Sequence, residues 1–145
     1  MFGPHLLVCG YRASKSALAD LEMIYNLIDG LPNLVGMTPI TQCQAFRYQG
    51  KVKDDWGITA MIMIAESHIS IHTFPEKGFF AFDLFSCRDF NTDLVVDTLA
   101  NAFNLVSVMD MSVQVIHRGR EFERGNVDPP EVGGLLYRLH NHPSE

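Results

Sequence analysis

Three apolar-rich segments, 57–65, 68–74 and 79–86, follow one another with only two and four residues between them. Gaps that short dictate antiparallel pairing, because a parallel neighbour needs a crossover of about a dozen residues or more. The last two segments are joined through Phe74-Pro75-Glu76-Lys77-Gly78-Phe79. Pairing Phe74 with Phe79 sets the register: His72 opposite Ala81, Ser70 opposite Asp83, His68 opposite Phe85 and Glu66 opposite Cys87. Side chains alternate along a strand, so Ile69, Ile71, Phe80, Phe82 and Leu84 share one face. His68, Ser70, His72, Asp83 and Cys87 share the other. A slip of one residue would turn the apolar set into water, and that fixes the register. One side of the hairpin is core. The other gathers titratable and nucleophilic groups, or, on the plainer reading, is a solvated face with incidental histidines.

The rest of the chain frames this hairpin. Residues 5–11 and 40–48 read as strands, and a polar loop covers 49–56. Over 14–29, Leu18, Leu21, Ile24, Tyr25 and Ile28 recur at helical spacing, with Ser14 as cap and Gly30-Leu31-Pro32 as stop. A second amphipathic helix spans 91–105 behind an Asn91 cap, and 108–117 alternates as a strand does. The order β-α-β-β-β-β-α-β predicts an α+β fold, a two-layer sandwich with a mainly antiparallel sheet and two helices on one face. The other sheet face must meet water or a partner. A chain of 145 residues, 47% apolar, supports one core. We expect one domain over 1–118, with 119–145 as a C-terminal extension packed on it or trailing from it.

Several classes are excluded. The longest apolar run, 58–65, falls far short of the ~20 residues of a membrane span. The N-terminus carries no basic stretch ahead of its apolar segment, so it does not read as a signal peptide, and the expected location is cytoplasmic. Eleven basic residues against 17 acidic leave a net charge of −6 and no basic stripe, which argues against nucleic acid. Cys9, Cys43 and Cys87 form no CxxC pair and suggest neither a disulfide framework nor a cysteine zinc site. His68 and His72 lie ~13 Å apart on an extended strand, and His140 and His142 read as a solvated pair. No metal is expected.

Ala65-Glu-Ser-His-Ile-Ser-Ile-His-Thr-Phe-Pro-Glu76, followed by Asp83-Leu-Phe-Ser-Cys87, resembles the signature of the short prokaryotic S-adenosylmethionine decarboxylases. The likeness runs unbroken over 57–87. It is weaker elsewhere, including Gly3-Pro-His-Leu and His117-Arg-Gly-Arg120. A run this long, with several polar positions fixed, is far more specific than a lone short motif.

The resemblance implies an enzyme that makes its own cofactor. The bond between Glu66 and Ser67 is cut by the protein itself, and Ser67 becomes a pyruvoyl group. In such a cut the serine hydroxyl attacks the preceding carbonyl and forms an ester. Removal of the serine Cα proton then expels the new carboxylate, and the dehydroalanine hydrolyses to pyruvoyl and ammonia. These steps need a proton acceptor and a hydrogen-bond donor, and the matching positions are His72 and Thr59, the latter commonly serine. The pyruvoyl ketone forms a Schiff base with the substrate amine and accepts the electrons left by carbon dioxide. Cys87 matches the family's proton donor to the resulting carbon; its plain alternative is a small core thiol. Glu76 matches the acid that holds the ribose hydroxyls, the alternative being an exposed turn residue. Phe74, where tryptophan is common, and Phe46 are positioned to stack on adenine or to serve as core. Asp83 has three readings: support for His72, support for Cys87, or solvation of the face.

His72 follows Ser67 by five extended residues, ~16 Å. A two-fold dimer pairing the polar faces would bring it in from a second copy, and the resemblance also implies a homodimer of cleaved protomers. Three departures from the family pattern stand out. The first strand lacks an acidic residue, Arg88 replaces a glycine, and the loop between Phe46 and Gly57 is long. The leading expectation is S-adenosylmethionine decarboxylation for spermidine synthesis. Two others stand beside it: pyruvoyl-dependent decarboxylation of ornithine or arginine, and an uncleaved, non-catalytic partner subunit.

Overall fold

The computed structural model describes residues 3–119. The expected extension over 119–145, with His140 and His142, lies outside the described residues save for Gly119. The strands are β1 (Pro4–Gly10), β2 (Gln44–Gln49), β3 (Trp56–Ile64), β4 (Ser67–Phe74), β5 (Phe79–Phe85) and β6 (Met111–His117). They form one sheet in the order β2-β3-β4-β5-β1-β6, antiparallel at every pairing. The helices are α1 (Lys15–Leu18), α2 (Leu21–Leu34) and α3 (Thr92–Ala102). The fold is the expected α+β two-layer sandwich.

The helices pack on one sheet face only. Ile24, Ile28 and Leu31 of α2 and Val95 and Leu99 of α3, spaced to share a helix side, are buried with Phe103. They meet Leu6 and Val8 of β1, Ile58, Ala60, Ile62 and Ile64 of β3, Ile69 and Ile71 of β4, and Phe80, Phe82 and Leu84 of β5. The Phe80 and Phe103 rings lie 4.5 Å apart. Burying an aromatic side chain of this kind is worth about 3 kcal/mol or less in transfer terms. Thr73 is the polar exception inside this layer. Its hydroxyl accepts the Ile58 N–H at 2.9 Å and donates to the Leu18 carbonyl at 2.8 Å, tying α1 to the sheet.

Where the boundaries differ from expectation, local chemistry explains it. The single helix expected over 14–29 is two helices. Ser14 caps α1, but Asp20 caps α2 by accepting the Met23 N–H at 2.9 Å, and the chain turns between them. Gly30 and Pro32 do not stop α2. Proline's fixed φ suits a helix, and so close to the end only one carbonyl loses its donor. The stop is Gly36, whose φ of +73° closes the C-terminus. The strand expected from residue 40 begins at Gln44, because the Ile40 N–H is taken by the Met63 carbonyl as the chain crosses the end of β3. The last strand begins at Met111, after a short 3-10 turn.

Candidate active site

The register of β4 on β5 matches the sequence reading residue for residue, from Phe74 opposite Phe79 to His68 opposite Phe85. The helix-free face therefore carries the polar set, arranged in rows across neighbouring strands. One row runs Phe46, Thr59, His72, Ala81 and Cys9, the next Met61, Ser70, Asp83 and Leu7, and the third Met63, His68, Phe85 and His5.

At the end of these rows β3 turns into β4 through Ala65 and Glu66 alone, with Ile64 paired to Ser67. Two-residue hairpins favour turns whose positive φ matches the twist of the strands. Here only the second residue, Glu66, has it, with φ +65°. A left-handed conformation costs an L-residue with a full side chain roughly 1–2 kcal/mol. The turn is held from outside, where the Ala65 N–H donates to the Thr38 carbonyl at 2.9 Å.

Cys87 meets this turn from the end of β5. Its backbone N–H donates to Ser67 Oγ at 3.2 Å, and its thiol donates to the Glu66 carbonyl oxygen at 3.0 Å. A nucleophilic hydroxyl, the carbonyl before it and a donor on that carbonyl are thus in one place. Met37, Thr38, Ser86 and Arg88 complete the wall of a cavity of about 110 Å³ beside them. Cys43 is a thiol of the other kind: burial, with the Asp29 carboxylate, pushes it up to about 11.

His72 and Thr59 pair directly, Nδ1 to Oγ1 at 3.0 Å, on adjacent strands. They lie five positions along β4 from Ser67, in a different row. Glu76 is in the turn after β4, its carboxylate taken by Lys15 at 2.7 Å and by the Trp56 indole N–H at 3.2 Å. The Lys15 hydrogen bond, helped by Trp56, holds its carboxyl below the ordinary range. Phe74 stacks on Phe79 at 5.5 Å, whereas Phe46 is 63% exposed and reaches toward no described aromatic partner.

Asp83 supports neither His72 nor Cys87. Its carboxylate accepts from the Ser70 hydroxyl and lies 2.8 Å from His5 Nε2 and 3.3 Å from His68 Nε2. Burial alone would raise its pKa, but the hydrogen bonds from Ser70, His5 and His68 outweigh that and lower it. The sequence reading missed His5, which is 78 positions from Asp83. The signal that would have found it is strand parity, once β1 is known to lie beside β5. His5, His68 and Asp83 are also the one set among the described residues with metal-ligand atoms within 4.8 Å of one another. The carboxylate is satisfied by its three donors without an ion.

Residues 4–119 match the family model described as S-adenosylmethionine decarboxylase. The chain is 28% identical over 133 residues to the S-adenosylmethionine decarboxylase proenzyme of Thermoplasma acidophilum, covering 92% of this chain and 95% of that protein. It is 29% identical over 123 residues to the proenzyme of that name from Thermodesulfovibrio yellowstonii, covering 82% and 86%. The crystal structure of the adenosylmethionine decarboxylase from Aquifex aeolicus superposes with a TM-score of 0.65 at 26% identity, over 80% of this chain and 89% of that one. A match across nearly the whole described fold, with Ser67 and Cys87 meeting at the turn, establishes that the chain belongs to the S-adenosylmethionine decarboxylase family.

Proposed function

We propose that this protein cuts itself between Glu66 and Ser67, carries a pyruvoyl group derived from Ser67, and decarboxylates S-adenosylmethionine. The observation that carries the reading is the turn itself: a left-handed Glu66 whose carbonyl takes the Cys87 thiol, followed by a serine whose hydroxyl is fixed by the Cys87 N–H. The Ser67 hydroxyl attacks the Glu66 carbonyl, the C–O bond forms as the C–N bond breaks, and the freed amine takes the proton. The Cys87 thiol stabilises the negative oxygen. These residues fit a pyruvoyl group at position 67, with the cavity beside it open to a substrate amine. When formed, the group supplies a carbonyl that takes up the amine and draws off the electrons of the departing carboxylate. Cys87, against the same position, then delivers the proton that replaces carbon dioxide.

In the homodimer described below, Glu76 of the second copy accepts the ribose hydroxyls, exchanging Lys15 and Trp56 for substrate, and that copy's Phe46 and Phe74 provide the flat surface for adenine. The product is the aminopropyl donor for spermidine, made in the cytoplasm by the domain over 1–118. No helix among the described residues is long and apolar enough to cross a membrane. Carbon dioxide release from carboxyl-labelled S-adenosylmethionine, ornithine and arginine tests the substrate. Release from the first alone is expected, and a preference for either amino acid would overturn the assignment.

A homodimer through the helix-free sheet face completes the site. Phe46, Met61 and Met63 on that face are 63%, 46% and 50% exposed, an apolar patch that a second copy would cover. In that arrangement the Thr59–His72 pair of one copy serves Ser67 of the other. Mixing equal amounts of Ser67→Ala and His72→Ala chains should restore cleavage to the serine-bearing chain of every mixed dimer, about half of all serine-bearing chains. Complete failure of the mixture, with each variant folded, would place His72 in its own chain's chemistry.

A further inference from the structure

His68 is the first residue after Ser67, and its imidazole is one arm of the group built on Asp83. One carboxylate oxygen faces both His68 Nε2 at 3.3 Å and His5 Nε2 at 2.8 Å, while the Ser70 hydroxyl holds the other. The two imidazoles stand edge to face with centroids 6.1 Å apart, each packed on Phe85. A single carboxylate therefore binds the start of β4 to β5 and to β1.

In the uncut chain this tie is redundant, because the turn at Ala65 and Glu66 already fixes where β4 begins. Cutting between Glu66 and Ser67 removes that tether and makes position 67 a chain end, the kind of place where strands fray. The same chemistry removes a second restraint. The Ser67 hydroxyl oxygen leaves in the Glu66 carboxylate, so the Cys87 N–H loses the acceptor it had at 3.2 Å. His68 then carries the first side chain that still anchors the end.

We infer that His5, Asp83 and His68 form a positioning clamp that keeps the new end of β4 in register against Cys87 after self-cleavage. The inference rests on the cleavage reading above. The clamp acts on where the reacting position sits and takes no part in the bond changes. Its loss should lower kcat while KM moves little.

Amide hydrogen exchange at residues 68–70 tests it, comparing Asp83→Ala in the cut protein and in the uncut Ser67→Ala background. Exchange should quicken about tenfold or more in the cut protein and less than about threefold in the uncut one. An ordinary stabilising role would speed both alike, and that result, or no change in either, overturns the clamp. His5→Phe keeps an aromatic ring on Phe85 and removes both ring nitrogens, among them the Nε2 facing Asp83. It should show the same cut-versus-uncut contrast in smaller measure, and it carries the test if Asp83→Ala does not fold or mature. The intact mass of the wild-type protein separates the two failures. An uncut wild type sinks the cleavage reading and the clamp with it, whereas a cut wild type with equal exchange sinks the clamp alone.

Discussion

Ser67→Ala should run as one uncut polypeptide at full mass and release no measurable carbon dioxide from S-adenosylmethionine. The wild-type protein should give two pieces divided after Glu66, the second lighter by one ammonia than simple hydrolysis would leave it. Alanine removes the attacking oxygen and with it the ester, so no slower version of the same cut remains. Packing is a poor alternative explanation, since Ser67 is only partly buried and its hydroxyl makes one hydrogen bond, from Cys87. An intact wild-type chain under denaturing mass measurement, after long incubation, would falsify the processing reading.

Cys87→Ala should produce the second largest effect, and in two separable places. The thiol donates to the Glu66 carbonyl, so its removal slows cleavage, by about 10²–10³-fold if it acts as a single oxyanion donor does. In the portion that does mature, kcat should fall by about 10²–10⁴-fold, the contribution of a positioned proton donor, with KM little changed. Cys87→Ser keeps an O–H donor on the carbonyl but replaces an acidic thiol with a far weaker acid. It should recover much of the cleavage rate and little of kcat. Time courses of intact mass separate the first effect from steady-state kinetics on the matured fraction. A Cys87→Ala protein that cleaves and turns over at the wild-type rate would reduce Cys87 to packing.

The part of this site legible in the sequence is the part set by local alternation. From His68 to Leu84 an alternation of apolar and polar side chains, broken on the core face at Thr73, selects one register, and a tight turn fixes it. So the meeting of Glu66, Ser67 and Cys87 follows from the chain alone. His5 was not legible in the same way, because its partner is reached through the pairing of β1 with β5, a contact between distant segments that no local pattern encodes. Asp83 is on the expected face and opposite Ser70 as expected, but its other partners are His5 and His68 where His72 or Cys87 was considered. The helix boundaries failed for a different cause. Leu18, Leu21 and Ile24 keep one apolar stripe across the break at Asp20, so periodicity reads through a cap that a short aspartate side chain supplies. Gly30 and Pro32 look like a stop in isolation. Burial of Leu31 and Pro32 against the core carries the helix past them to Gly36.

The cut proposed here falls between neighbouring strands at the middle of one continuous sheet, not in a peripheral loop. β3 ends the first piece and β4 begins the second, and Ile58, Ala60 and Ile62 share a buried layer with Ile69, Ile71, Phe80 and Phe82. The mature protomer is therefore a complex of two polypeptides from a single gene product. Before maturation each protomer folds as a single chain. Afterwards refolding is a reaction between two separate molecules, and its midpoint depends on protein concentration. Dilution would then weaken the mature form more steeply than the precursor, because one more association must be remade. Maturation exchanges a fold that can repair itself for one that, once lost, must find its other half.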